Sequence, residues 1–137
     1  MKTRLIDTGP FIAYLNRRDP AHESISAAID GFRGQLATTS TVIGEVMYFV
    51  SETANGPSAF VKLLLASRIQ IADFTQPPQL AVAVELMAKY SDTPMDFADA
   101  TLVLLAEALG ISEIVTLDRR GFSTYRTSTG RAFRLFA

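Results

Sequence analysis

Short apolar runs alternate along the chain with longer segments in which apolar residues recur every three or four positions. A short apolar run is typical of a buried strand, and the longer period is typical of a helix with one buried face. Strands separated by helices form a mostly parallel sheet flanked by helices, because parallel neighbours need a long crossover. The pattern therefore predicts an α/β fold, and the length predicts one domain over residues 1–137.

The predicted elements follow one another without a linker or an internal repeat. Predicted strands cover residues 3–6, 34–40, 69–74, 113–117 and 133–136. Predicted helices cover residues 10–17, 21–32, 41–54, 58–68, 79–91 and 96–109. Proline and glycine set most of these limits. Pro10 suits a first helical turn, and Gly110 ends the helix before it. Pro57 lies in a predicted break between two helices, and Pro77 in a predicted break between a strand and a helix.

Missing residue types narrow the possible chemistry. The chain has no cysteine, which excludes thiolate nucleophiles and Cys-based zinc sites and fits a reducing compartment. Its one histidine, His22, cannot form the His pair of a metal-free ribonuclease, and we expect it on an exposed helix. The glycine motifs of nucleophile elbows, P-loops and dinucleotide sites are absent. No apolar run has the length of a signal peptide or a membrane span, so we expect a cytoplasmic protein.

Charge is almost balanced overall but uneven along the chain. The net charge is −1, so the molecule as a whole does not attract nucleic acid. No acid follows Asp118, and the arginines of this last stretch are Arg119, Arg120, Arg126, Arg131 and Arg134. They form either a local face that holds phosphates or a set of scattered solvated side chains.

Two acids stand directly after predicted strands. Asp7 follows the first strand and Asp118 follows the fourth. The carboxyl ends of parallel strands are where open α/β sheets bind ligands. Each residue also suits a structural role by itself, Asp7 as a helix cap and Asp118 as a turn residue.

Asp96 and Asp99 lie three residues apart at the start of an otherwise apolar helix. Asp96 suits the cap and Asp99 the first turn, where the helix dipole stabilises a negative charge by about 0.3–1 kcal/mol. Asp99 is also in line with Val103 and Ala106, so we expect it to point inward. Glu45 shares its helix side with polar residues, which predicts either a solvated position or one at the boundary of the core.

A cluster of these carboxylates would require a cation. Two like charges about 4 Å apart repel by about 4 kcal/mol at an effective dielectric constant of about 20, so the cluster stays ionised only around a positive ion. Oxygen ligands without cysteine select hard ions, Mg²⁺ or Mn²⁺. A divalent ion that orients a phosphate and lowers the pKa of a bound water promotes phosphodiester hydrolysis.

Four short motifs resemble those of the PIN domain, and most closely the VapC-type toxin ribonucleases of toxin–antitoxin pairs. Each motif by itself is weak, but their order and spacing over nearly the whole chain are specific. The motifs are Asp7-Thr8, Glu45 in "VIGEV", Asp99-Ala100 in "DFADATLVLLAEALG", and Thr116-x-Asp118 in "IVTLDRRGF".

The resemblance implies a Rossmann-like sheet with an acidic site that binds Mg²⁺ or Mn²⁺ and cuts RNA. By motif position, the metal ligands and catalytic acids would be Asp7, Glu45, Asp99 and Asp118. Asp96 matches an extra acid of some relatives, with a supporting or second-metal role. Thr8 and Thr116 would order the acids, and Arg119 and Arg120 would hold the RNA backbone. Toxins of this type form homodimers and are inhibited by a small antitoxin whose tail covers the active site, often with an arginine among the acids.

One departure from the family pattern is visible. Gly9-Pro10 follows the Asp-Thr pair where the family commonly has serine, so one hydroxyl contact behind the acids is missing. An alternative interpretation is a PIN-like module that binds protein or RNA without cutting. A phosphatase of the haloacid dehalogenase type is a weaker one, because it needs a second aspartate where this chain has Gly9.

Overall fold

A five-stranded sheet forms the centre of the computed structural model, which describes residues 1–137. The strands are β1 (Thr3–Ile6), β2 (Gln35–Thr39), β3 (Gln70–Ala72), β4 (Glu113–Val115) and β5 (Arg134–Phe136). Their order is β3-β2-β1-β4-β5, and all neighbours are parallel, which confirms the predicted fold class. The chain adds β2 and β3 on one side of β1, then β4 and β5 on the other. The carboxyl ends of β1 and β4 therefore border the point where strand order reverses, which is the usual ligand crevice.

Seven helices surround the sheet, one more than the pattern predicts. They are α1 (Thr8–Leu15), α2 (His22–Asp30), α3 (Ser40–Val50), α4 (Gly56–Ser67), α5 (Pro77–Lys89), α6 (Phe97–Leu109) and α7 (Arg119–Thr124). The unpredicted helix is α7, a short segment after β4. No helix combines the length and the hydrophobicity needed to cross a membrane.

Several predicted helix limits are wrong, and the prolines explain two of them. Pro57 and Pro77 stand at the starts of α4 and α5, not in the breaks before these helices. Proline is tolerated there because the first backbone N–H groups of a helix have no partner within the helix. α1 begins at Thr8 because the Asp7 carboxylate accepts a hydrogen bond from Thr8 N and caps the helix. α3 ends at Val50 and not at residue 54.

The core lies on the central strands. Leu5 and Ile6 of β1 and Ile114 and Val115 of β4 are fully buried, as expected for a parallel sheet covered on both faces. α6 contributes buried side chains on most of its surface and packs against β2. One cluster of 25 buried apolar residues joins these elements. Every buried polar side-chain atom has a hydrogen-bond partner, so polar residues near the core are held in fixed positions.

Candidate active site

Five carboxylates line one pocket of about 330 Å³ at the carboxyl edge of the sheet. The lining residues are Asp7, Thr8, Gly9, Glu45, Asp96, Asp99, Leu117 and Asp118. The structure thus brings together all five acids that the sequence singled out, with Thr8 among them. His22 does not line this pocket; it is partly buried, with Nδ1 2.8 Å from the Ala13 carbonyl oxygen, so its expected exposure is wrong.

Asp7 is fixed at both of its carboxylate oxygens. It follows β1, is only 8% exposed, and its Oδ1 accepts a 2.7 Å hydrogen bond from Thr8 N. Its Oδ2 accepts a 2.9 Å hydrogen bond from Thr116 Oγ1, whose residue is completely buried. Asp7 is therefore both a helix cap and a pocket residue, so the two roles that its sequence position suggested are compatible.

The same Thr116 hydroxyl also orders the neighbouring acid. Thr116 Oγ1 accepts a 3.0 Å hydrogen bond from Asp118 N, so one hydroxyl links the segments that carry Asp7 and Asp118. Asp118 caps α7, accepting a 3.0 Å hydrogen bond from Gly121 N. An added Cβ at Gly121 would collide with the Asp118 carboxylate, so a larger residue here would displace this acid from its position. The Asp-x-x-Gly spacing is the signal that would have predicted this capped turn.

Asp96 and Asp99 form a reciprocal cap at the start of α6. Asp99 N donates to Asp96 Oδ1 at 2.8 Å, and Asp96 N donates to Asp99 Oδ2 at 3.1 Å. Asp99 is 9% exposed and shares the buried side of α6 with Val103 and Ala106, which confirms its inward orientation. Asp96 is exposed at the pocket rim. The cap fixes both carboxylates to the same turn of backbone.

Glu45 lies at the boundary of the core and not on a solvated stripe. It is half-buried on α3, and its Oε1 accepts a 2.8 Å hydrogen bond from Thr8 Oγ1. Thr8 therefore contacts two acids at once, Asp7 through its amide and Glu45 through its hydroxyl. Gly9 lies beside Leu117, the one apolar side chain of the pocket.

No basic side chain neutralises these acids. The three ion pairs of the molecule all involve Glu113 at the start of β4, on the opposite edge of the sheet. Burial raises the pKa of Asp7 to about 6, and the hydrogen bonds from Thr8 and Thr116 only partly oppose this rise. Burial, followed by the charges of Asp96 and Asp7, raises the pKa of Asp99 to about 8. Burial also raises the pKa of Glu45. When the carboxyl groups of the pocket are ionised, no positive side chain balances their charge.

The donor set fits a hard divalent cation. The pocket offers carboxylate and hydroxyl oxygens and no nitrogen or sulfur ligand. No group of three or more acidic side chains already stands in a closed ligating arrangement. Mg²⁺ does not need one, since it keeps several waters and is commonly bound through one or two carboxylates. An ion here would therefore be held partly through water.

Few of the arginines that follow Asp118 are available to bind RNA near the acidic pocket. Arg126 donates three hydrogen bonds to carbonyls around the end of α7, and Arg131 donates one to the Gly110 carbonyl. Arg134 pairs with Glu113. Arg119 and Arg120 are exposed at the start of α7 directly after Asp118, and neither forms an ion pair. The predicted basic face reduces to these two arginines.

Comparison with known proteins gives consistent matches over nearly the whole chain. The model of the PIN domain family matches residues 4–127. Ribonuclease VapC26 of Mycobacterium tuberculosis is 30% identical over 131 residues, which cover 94% of this chain and 96% of that protein. The crystal structure of M. tuberculosis VapC20, described as a Sarcin-Ricin loop cleaving toxin, superposes with a TM-score of 0.72 at 16% identity and covers 82% of this chain and 87% of that one. DNA-bound VapBC from Salmonella typhimurium superposes with a TM-score of 0.68 at 18% identity over 100% of both chains.

The unpaired acids predict an unusual pH dependence of stability. An acid whose pKa is raised in the folded state holds a proton that the unfolded chain releases, so the free energy of unfolding falls as pH rises through that interval. Without metal, we expect the free energy of unfolding to fall from about pH 4 to about pH 8, through the pKa values of Asp7 and Asp99. Asp99→Asn keeps an oxygen for the Asp96 amide and removes the charge. It should stabilise the protein at pH 8 by on the order of 1–3 kcal/mol.

Urea unfolding in EDTA at several pH values measures this difference. Asp30→Asn is the matched control, because Asp30 ends α2 away from the pocket and bonds to the Tyr14 hydroxyl. An Asp99→Asn protein that is less stable than the wild type at pH 8, or that keeps the full pH dependence, would contradict the prediction.

Proposed function

This chain belongs to the PIN domain family, and from that premise we propose that it is a metal-dependent endoribonuclease, the toxin of a toxin–antitoxin pair. The observation that supports this most directly is the convergence of five carboxylates, without any basic partner, at the switch point of the sheet. The similarity to Ribonuclease VapC26 over nearly all of both chains supports the reaction class. We further propose Mg²⁺ or Mn²⁺ as the ion, because oxygen ligands favour hard cations.

Each residue has a distinct part in this proposal. Asp7, Asp99, Asp118 and Glu45 would hold the ion directly or through water, and Asp96 would support a second ion or the same one. When bound, the ion would polarise the phosphate of the RNA and lower the pKa of a bound water. Thr8 and Thr116 hold Asp7 at both oxygens, so its orientation is set before substrate binds. Glu45 keeps one oxygen free of protein hydrogen bonds, and this oxygen is the candidate to orient the attacking water and accept its proton.

The alternative function is a PIN-like module that binds protein or RNA without cutting. The absence of three acids in a closed ligating arrangement is the observation that favours it. The two functions differ in their response to metal, because a ligand that binds only the folded state stabilises it. At a metal concentration of about 100 times the dissociation constant, this stabilisation is about 2.7 kcal/mol.

We also propose that an antitoxin covers the groove between α1, α3 and α4. This groove has a volume of about 490 Å³, and its apolar lining includes Ile12, Leu15, Phe49 and Val50. Ile12 and Phe49 lie one helical turn beyond Thr8 and Glu45 of the acidic pocket, a rise of about 5.4 Å. An apolar helix in the groove would therefore continue into the acids, where an arginine would supply the missing positive charge. Homodimerisation stays a prediction.

Asp7→Asn and Asp99→Asn are the direct test of the acid site. We expect either change to lower the cleavage of RNA by at least about 100-fold, since even the outer partners of metal ligands contribute 10–100-fold. Cleavage of a pool of RNAs, with Mn²⁺ or with EDTA, measures the activity. Thermal unfolding with millimolar Mn²⁺ should show stabilisation of the wild type and none of Asp99→Asn.

Asp30→Asn again serves as the control and should cleave like the wild type. Cleavage that survives either pocket substitution, or that is unchanged by EDTA, would refute the assignment. A wild-type protein that neither cuts RNA nor responds to Mn²⁺ would favour the binding module.

The two free arginines predict a salt-dependent effect on RNA binding. Arg119→Ala and Arg120→Ala should each raise KM and leave kcat nearly unchanged, because phosphate contacts position the substrate. Each lost phosphate contact should also reduce the slope of log affinity against log salt concentration by about 0.7 for single-stranded RNA. Arg134→Ala removes the same charge from the opposite edge and should leave the slope unchanged. Equal slopes in all three variants would exclude these arginines from the RNA path.

The groove predicts a separation of activity from inhibition. Phe49 is 52% exposed, so Phe49→Asp should fold and cut RNA normally. The variant should lose inhibition when it is co-expressed with the product of a short reading frame beside its gene. Growth of the host and co-purification of the partner measure this loss. As a control, Val84→Asp places the same charge on an exposed apolar position of α5, and this variant should still be inhibited by the partner. A Phe49→Asp protein that is still fully inhibited would contradict the proposal.

A further inference from the structure

A buried phenol lies directly behind the acidic pocket. Tyr125 follows α7 and is completely buried. Its ring meets the rings of Phe122 and Tyr90 edge to face, with centroids 5.1 Å apart in both pairs. The ring position is therefore set by packing, and only the hydroxyl group needs a polar partner.

The hydroxyl group joins two segments that carry acids. Tyr125 Oη donates a 2.8 Å hydrogen bond to the carbonyl oxygen of Pro94, two residues before Asp96. No other hydrogen bond links residues 93–99, which carry Asp96 and Asp99, to residues 118–125, which carry Asp118. The direct polar link between these two halves of the pocket is therefore a single hydrogen bond, which adds to the core packing that holds α6 and α7 in place.

Gly121 brings the phenol close to Asp118. A Cβ built on Gly121 would lie 2.9 Å from Tyr125 Oη and in collision with the Asp118 carboxylate, so both groups crowd the same space. Burial, and after it the charges of Asp99, Asp118, Asp96 and Asp7, raise the pKa of Tyr125 above its ordinary value.

We propose that Tyr125 is a positioning residue that fixes Asp118 relative to Asp96 and Asp99, and thereby sets the affinity of the pocket for a divalent cation. Tyr125 does not line the pocket and acts through the Pro94 carbonyl. This inference rests on the proposed function, since it assumes that the acids bind a cation. It assigns a role to a residue outside the four motifs of the sequence.

Tyr125→Phe removes the hydroxyl and keeps the ring packing. Tyr90→Phe is the matched control, because Tyr90 is also buried, packs on the same ring and uses its hydroxyl to accept a 2.9 Å hydrogen bond from Arg126 N. The probe is Mn²⁺ alone, titrated while thermal unfolding is followed. We expect Tyr125→Phe to raise the Mn²⁺ concentration at half-maximal stabilisation about 10-fold. This is the lower limit for groups that hydrogen-bond metal ligands, because Tyr125 acts one contact further out. Tyr90→Phe should lose stability without changing this concentration.

Two further measurements separate positioning from a loss of structure. In EDTA, hydrogen exchange at the Asp96 and Asp99 amides should be faster in Tyr125→Phe and unchanged in Tyr90→Phe. With saturating Mn²⁺, Tyr125→Phe should regain the kcat of the wild type, because only the affinity for the ion is reduced.

The inference is overturned if both variants shift the Mn²⁺ requirement equally, or if Tyr125→Phe shifts neither this requirement nor amide exchange. It is also overturned if excess Mn²⁺ fails to restore kcat. If the wild-type protein is not stabilised by Mn²⁺, the proposed function itself is refuted. This test uses the wild type alone, so it is distinct from the comparison of the two variants.

Discussion

Repulsion between carboxylates without a positive partner is the constraint on which the functional edge of this molecule depends. The parallel sheet brings Asp7 and Asp118 together because β1 and β4 are neighbours that end at the same edge. The start of α6 adds Asp96 and Asp99, and α3 adds Glu45. In water such groups would separate. Here their backbone positions are fixed by elements whose other side chains form the core, so the carboxylates stay close. Burial first, and the neighbouring acids after it, raise the pKa values of Asp7 and Asp99.

The protein offsets part of this repulsion with helix starts. Asp7 caps α1, Asp96 and Asp99 cap α6, and Asp118 caps α7. Each of these four aspartates therefore accepts at least one hydrogen bond from an amide at the positive end of a helix, whereas Glu45 accepts one from the Thr8 hydroxyl. The choice between cap and functional acid, which the sequence left open at these positions, does not arise in the structure. The same carboxylates cap helices and line the pocket, because a backbone amide occupies one carboxylate oxygen and holds the group in a fixed orientation towards the pocket.

The sequence predicted the architecture better than the limits of its helices. All five strands were placed from the sequence. The central strands β1 and β4 stand out most clearly from the helical period, because they are buried on both faces, whereas the edge strands β3 and β5 are partly exposed. The limits at Pro57 and Pro77 were wrong because proline is compatible both with a break and with a first turn, and only the tertiary structure decides. α7 was missed because six residues give no helical period. The convergence of the acids could be inferred from strand order, but the Tyr125 contact could not, since nothing in a sequence shows which carbonyl a buried phenol reaches.

Thr8 connects two acids of the pocket that lie on different elements of the fold. Its amide nitrogen holds Asp7 and its hydroxyl holds Glu45, and these two donors belong to one amino acid. The two donors are only a few covalent bonds apart, and the Thr8 side chain is restricted to a small set of staggered rotamers. A displacement of α1 against α3 would therefore have to stretch the Thr8–Glu45 hydrogen bond or turn the Glu45 side chain. The distance between these two acids is therefore a property of helix packing as well as of the pocket itself.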